Sequence, residues 1–136
     1  MTEKTFHLEI VTPKKVVLNS RVTSFTAPGI LGGFQVLRSH APFLSSIGVG
    51  EVKVIDEAGQ EARFATSGGF VEVRENKVVM LAETAERADQ IDIRRAEKAR
   101  TKAQKRLAEK AVEHDLERAK AALQRALNRL KVSQKR

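Results

Sequence analysis

Apolar and polar residues alternate from the start of the chain, with Phe6, Leu8 and Ile10 set against His7, Glu9 and Val11. A period of two is that of a strand with one buried face. Residues 22–27 repeat it, Val22, Ser24 and Thr26 against Thr23, Phe25 and Ala27. Further on, residues 52–56 and 61–66 flank Glu57-Ala58-Gly59-Gln60, and residues 69–74 and 77–82 flank Glu75-Asn76. Each pair predicts a hairpin with turn residues between its strands, and strands this short and close predict an antiparallel β sandwich or flattened barrel. Residues 29–50 are rich in glycine, contain His40-Ala41-Pro42, and predict a loop and turn region.

From about Ala85 the period changes. Ala96, Ala99, Ala103, Leu107 and Ala111 recur every three or four residues, as do Leu116, Ala119, Leu123, Ala126, Leu127 and Leu130. Each set forms one apolar stripe on an otherwise charged helix. The join is expected near Glu113-His114-Asp115, with Asp115 as N-cap, although without Gly or Pro one unbroken helix fits the pattern almost as well. The first stripe is mostly alanine. A buried methyl contributes far less than the roughly 1.5–3 kcal/mol of a buried leucine, so a hairpin packed this way is expected to be marginal and easily opened.

Composition sharpens the division. All 8 glycines, all 3 prolines and all 6 phenylalanines lie at or before Phe70. Residues 1–85 carry 9 Lys+Arg against 9 Asp+Glu, and residues 86–136 carry 16 against 8, so the whole net charge of +8 belongs to the second part. The expected organisation is therefore α+β in two domains: an antiparallel β sandwich over 1–85 and an α-helical hairpin over 86–136. With no cysteine there is no disulfide framework, thiolate nucleophile or cysteine-bound metal. The N-terminus lacks an apolar signal stretch, and no apolar run reaches the roughly 18 residues that would span a bilayer.

No catalytic constellation emerges. His7, His40 and His114 are scattered without metal-ligand spacing. Ser67-Gly68-Gly69 has neither a nucleophile elbow nor a phosphate loop around it and predicts a tight turn. Glu57 with Glu61 and Glu72 with Glu75 sit beside turns, where solvated surface is the ordinary outcome. The basic part offers more. Asp92 and Arg95 share a helix face, Lys102 lies two turns beyond Arg95, and Arg125 and Arg129 form an i,i+4 pair. Folded antiparallel, these helices could bring the cations together around phosphate oxygens, which arginine holds bidentately. A solvated basic face laced with helix-supporting ion pairs is the competing explanation. Nucleic-acid binding through phosphate contacts is a third.

Several strings occur in order: Leu8-Glu9-Ile10-Val11-Thr12-Pro13, His40-Ala41-Pro42-Phe43-Leu44, Ser67-Gly68-Gly69-Phe70-Val71-Glu72-Val73, Asn76-Lys77-Val78, the stretch from Ala85 through Ala96, and Arg125-Ala126-Leu127-Asn128-Arg129-Leu130. Together they resemble the epsilon subunits of bacterial F-type ATP synthases over essentially the whole chain. The resemblance implies a ten-stranded sandwich that binds the gamma subunit of the central stalk, with His40, Ala41 and Pro42 at the partner surface, and rests on the membrane rotor ring of c subunits. It implies a hairpin that extends to meet the catalytic beta subunits and block ATP hydrolysis. It further implies no enzymatic activity of its own, no nucleic-acid partner, and a peripheral place on the cytoplasmic face of the bacterial inner membrane.

The resemblance also implies no cofactor but a regulatory ATP, read from Ile91-Asp92-Ile93-Arg94-Arg95-Ala96. Glu86 and Asp92 would then lie beside ribose and base, with Ile91 and Ala96 completing the motif and Arg95, Arg125 and Arg129 around the phosphates. Lys102 stands where stronger ATP binders have arginine, which keeps the charge and loses the fork. The segment 29–36 lacks the acidic residue many relatives place before Leu-Gly-Ile.

Overall fold

A computed structural model of the chain describes residues 4–109 and 112–135, the side chain of His114 excepted. Two compact units divide after Arg87.

The first unit is a β sandwich of nine described strands: β1 (Phe6–Val11), β2 (Val16–Ala27), β3 (Phe34–Val36), β4 (Phe43–Ile47), β5 (Gly50–Asp56), β6 (Glu61–Thr66), β7 (Gly69–Arg74), β8 (Lys77–Ala82) and β9 (Ala85–Arg87). This is one fewer than the ten implied by the resemblance. Hydrogen bonding runs in the order β4-β7-β8-β1-β2-β5-β6-β9, with β3 added to β2. Every pairing is antiparallel except that of β1 with β8, because β1 inserts between the β7–β8 hairpin and the long β2. Twelve-residue β2 pairs with β1 through its first half and with β3 and β5 through its second, and the register shifts between Val22 and Ser24 as it passes from one to the other. A shift of this kind bends a strand and lets one sheet fold over a shared interior. That interior is built from alternate residues of these strands, with Phe6, Phe25, Phe64, Leu8, Ile10 and Met80 essentially without exposure.

The two predicted hairpins form where the turn chemistry placed them. Asp56 Oδ1 accepts the N–H groups of Ala58 and Gln60 at 2.8 and 2.9 Å, and Gly59 takes φ +83°. Glu75 and Asn76 both have positive φ, 50° and 61°, the signature of a two-residue type I′ turn. Ser67-Gly68-Gly69 is not the tight turn expected: Ser67 and Gly68 link β6 to β7, which pair with other strands and not with each other, and Gly69 already belongs to β7. A Cβ on Gly69 would run into the Leu81 carbonyl oxygen, and the Ser67 hydroxyl is hydrogen-bonded to that of Thr84 at 2.7 Å.

The expected loop over residues 29–50 instead contains β3 and β4. Their pairing partners, β2 and β7, lie elsewhere in the chain, and strands this short are set by such partners more than by local pattern. The sandwich also runs past Ala85, since Ala85–Arg87 pairs with β6.

The second unit is a helical hairpin: a 3-10 turn at Ala88–Gln90, then α1 (Ile93–Ala108) and α2 (Glu113–Ser133). The two helices pack on each other, and the turn packs on α2. Ala96, Ala103, Ala119 and Ala126 are buried in the unit together with Ala88, Ile91 and Val132. The fully buried positions of the two helices are thus mostly alanines, with Leu107, Leu116, Leu123 and Leu130 half-buried, and Leu127, predicted on the stripe, is 45% exposed. The helices are separate rather than continuous. The N-cap of α2 is Val112, which makes no side-chain cap bond, and Asp115 sits in the first turn, where its charge favours the helix dipole. Ala111 and the side chain of His114 lie outside the described residues. Among the described residues no helix is long and apolar enough to cross a membrane, and no group of three or more His, Cys, Asp or Glu could hold a metal ion.

Candidate functional sites

The six-residue motif at the start of the hairpin divides its labour. Ile91 and Ala96 are buried, at 3% exposure each, and serve the interior of the unit. Asp92 is the N-cap of α1: its backbone is extended, and Oδ1 accepts the Arg95 N–H at 3.0 Å. Ile93, Arg94 and Arg95 face solvent. Asp at this position satisfies one of the four N–H groups that a helix start leaves open, and its charge opposes the positive end of the dipole. One Asp92 oxygen therefore has a structural task whether or not a nucleotide is present.

The other predicted nucleotide residues are distributed. Arg125 and Arg129, one turn apart on α2, are half-buried. Lys102 is exposed on α1, where it lines an open groove of about 750 Å³ with Arg94, Lys98, Arg100, Lys105 and Glu97. All of the groove's lining residues belong to α1, so of the predicted nucleotide residues it includes Lys102 alone. Glu86 belongs to the sandwich, half-buried on β9 opposite Ala65.

On the sandwich, His40, Ala41 and Pro42 lie between β3 and β4, with Ala41 and Pro42 exposed. His40 Nδ1 donates to the Ala41 carbonyl at 2.7 Å. Its ring meets Phe43 edge-on at 5.7 Å, Phe43 meets Phe34 at 4.9 Å, and Phe34 meets the fully buried Phe25 at 6.5 Å. A chain of ring contacts thus ties the surface histidine to the core.

A second surface lies on the outer face of β4, β7, β8 and β1. Phe70 stands directly opposite Leu81, and Leu81 opposite Val11 in the parallel pair. Phe70 and Leu81 are 56% and 57% exposed, and Leu44, two residues along from the partner of Phe70, is 71% exposed. Sequence reasoning did not single out this apolar row. The signal was present: a turn at Glu75-Asn76 puts Phe70 across from Leu81, both at outward positions. Ile30 and Leu31 form a third apolar feature at an exposed loop tip, held by the Ile30 N–H to the Ser46 carbonyl at 3.0 Å.

Residues 5–88 match the family described as ATP synthase, Delta/Epsilon chain, beta-sandwich domain, and residues 89–134 match its long alpha-helix domain. The chain belongs to the ATP synthase delta/epsilon family. Within that family it is 52% identical over 130 residues to the ATP synthase epsilon chain of Nitratidesulfovibrio vulgaris, covering 96% of each chain. It is 44% identical over 131 residues to that of Desulforamulus reducens, covering 96% of this chain and 98% of the other. Among solved structures, a chain of the Euglena gracilis mitochondrial ATP synthase, OSCP/F1/c-ring, shares the fold with a TM-score of 0.78 at 22% identity, over 88% of this chain and 76% of that one.

Proposed function

We infer that this delta/epsilon family chain is the epsilon subunit of an F-type proton-translocating ATP synthase, a non-catalytic part of the central stalk. In this reading the sandwich binds the gamma subunit through its exposed apolar and His40–Pro42 surfaces, and the Ile30–Leu31 tip rests on the rotor ring of c subunits. The protein is then peripheral, on the cytoplasmic face of the bacterial inner membrane. The hairpin is its movable part. Extended, its basic helices reach the catalytic beta subunits and inhibit ATP hydrolysis, and its charge has the sign an acidic partner attracts.

The observation that supports a movable arm best is that the fully buried positions of α1 and α2 are mostly alanine, while their stripe leucines are at most half-buried. Methyl-on-methyl packing leaves little apolar area to hold two helices together. ATP bound only to the folded hairpin would favour it by about 2.7 kcal/mol at 100 times its dissociation constant. Since about 1.4 kcal/mol changes a ratio tenfold, that bias decides the state of a thinly packed pair. Arg95, Arg125 and Arg129 would take the phosphates, with Asp92 toward ribose and base. Lys102 would add charge without the bidentate geometry.

Co-purification with gamma tests the subunit assignment, which stands on stable one-to-one association. Calorimetric titration with ATP of the wild type, Arg95→Ala and Arg125→Ala tests the sensor. Equal or absent binding in all three removes the sensor and leaves the assignment in place.

A further inference from the structure

Asn76 makes three hydrogen bonds to segments far from it in sequence or across the sheet. Its side-chain Oδ1 accepts the Ser39 N–H at 2.9 Å, its Nδ2 donates to the Thr5 carbonyl at 3.0 Å, and its own carbonyl accepts the His7 N–H at 3.2 Å. The residue sits at the second position of the β7–β8 turn with φ 61°, which an asparagine tolerates better than most side chains. Ser39 also has positive φ, 60°, an uncommon state for a residue with a Cβ. A residue held there needs surrounding contacts that outweigh the local cost, and the bond from its amide to Asn76 is one.

Ser39 is the residue immediately before His40-Ala41-Pro42. From the other end, that loop is held by the ring contact of His40 with Phe43. It is therefore a surface fixed on one side by a long-range hydrogen bond and on the other by a local ring contact, and a surface already in its binding shape loses less entropy on association.

We propose that Asn76 is the positioning residue of the His40–Pro42 surface: its side-chain oxygen locks Ser39 in the left-handed conformation and so pre-sets the loop for the stalk partner. The proposal rests on the reading of that loop as a gamma-binding surface. Asn76 itself need not touch gamma. Its side chain faces its own sandwich, where it joins the turn, the N-terminal segment and the loop.

Three variants of the full chain test this. Asn76→Gly keeps the positive φ that the turn requires and removes the clasp. Asn76→Asp keeps an acceptor for Ser39 and loses the donor to Thr5. Ala41→Asp alters the surface itself. Amide exchange at Ser39, affinity for purified gamma and the unfolding midpoint are measured for each. In Asn76→Gly, Ser39 exchange rises about tenfold or more and gamma affinity falls about fivefold, while the midpoint falls by no more than the loss of two side-chain hydrogen bonds accounts for. In Asn76→Asp both stay near wild type, a rescue that a general loss of stability would not produce. The proposal is overturned if Asn76→Gly leaves Ser39 protection intact, or frees Ser39 while gamma affinity holds and Ala41→Asp lowers it; in the latter case the surface reading survives. If Ala41→Asp leaves gamma affinity unchanged, the surface reading fails and the proposal fails with it.

Discussion

Asp92 Oδ1 accepts the backbone N–H of Arg95 at 3.0 Å, so two residues of the suspected nucleotide motif are already joined as a helix cap. Loss of such a cap costs about 1 kcal/mol. Asp92→Ala is therefore expected to destabilise the hairpin by about that amount without ATP, seen as faster amide exchange along α1. Asp92→Asn, an equally good cap, should restore exchange to wild type. If it nevertheless loses ATP affinity, the carboxylate charge has a nucleotide role separate from capping.

Ala126 is fully buried in the hairpin. Leucine there adds three carbons at a position with no free space, and overpacking of this kind costs about 1–3 kcal/mol. Ala126→Leu should open the hairpin, lower its protection from exchange, and, in the assembled enzyme, deepen inhibition of ATP hydrolysis at a fixed ATP concentration. A variant with an opened hairpin and unchanged hydrolysis would separate arm opening from inhibition.

Gly69 takes φ +148°, and a side chain there meets the Leu81 carbonyl. Gly69→Ala is expected to lower sandwich stability by at least about 2 kcal/mol through steric and backbone strain together. Chemical denaturation of the isolated protein, followed by a probe in the sandwich, measures it.

Phe70 and Leu81 face outward opposite each other, more than half exposed. Charging them with Phe70→Asp or Leu81→Asp should leave the unfolding midpoint within about 1 kcal/mol of wild type, since little buried contact is lost. Gamma association should weaken at least tenfold. Intact association in both variants would exclude this row from the interface.

Glu61 is held below the ordinary carboxylate range, first by a hydrogen bond from Lys53, whose ammonium lies 2.7 Å away, then by the charges of Lys53 and Arg63. A depressed folded-state pKa gives stability that is present above the unfolded pKa and is lost as pH falls through the folded one. Thermal unfolding followed downward from pH 6 should show the wild type losing this share in the acid range. Glu61→Gln should lack it, and an identical acid slope in the two proteins would show the pair adds nothing to folding.

Much of the architecture was legible because its signals were local. Asp56, Gly59, Glu75 and Asn76 mark hairpins within a few residues of the strands they join, and the alanine period marks the helices. The parallel β1–β8 pairing was not legible, since nothing near Phe6 or Lys77 points to a partner some seventy residues away. For the same reason β3 and β4 looked like loop. The helix break was visible only as a weak signal, for no Gly or Pro marks it, and Val112 rather than Asp115 occupies the cap. For the candidate site, the motif positions could be named but not their separate duties: the cap by Asp92 is local, within three residues of Arg95, whereas the burial of Ile91 and Ala96 appears only in the folded unit.

The parallel seam has a temporal consequence. Because β1 pairs with β8 from His7–Lys77 to Val11–Leu81, one edge of the first strand made stays uncovered until nearly the whole sandwich has left the ribosome. Contacts so distant in sequence make folding slow. The two helices are near neighbours, and elementary helix formation takes on the order of a microsecond. A chain of this design completes its sandwich late and slowly, and forms its helices on a far shorter timescale than the base they follow.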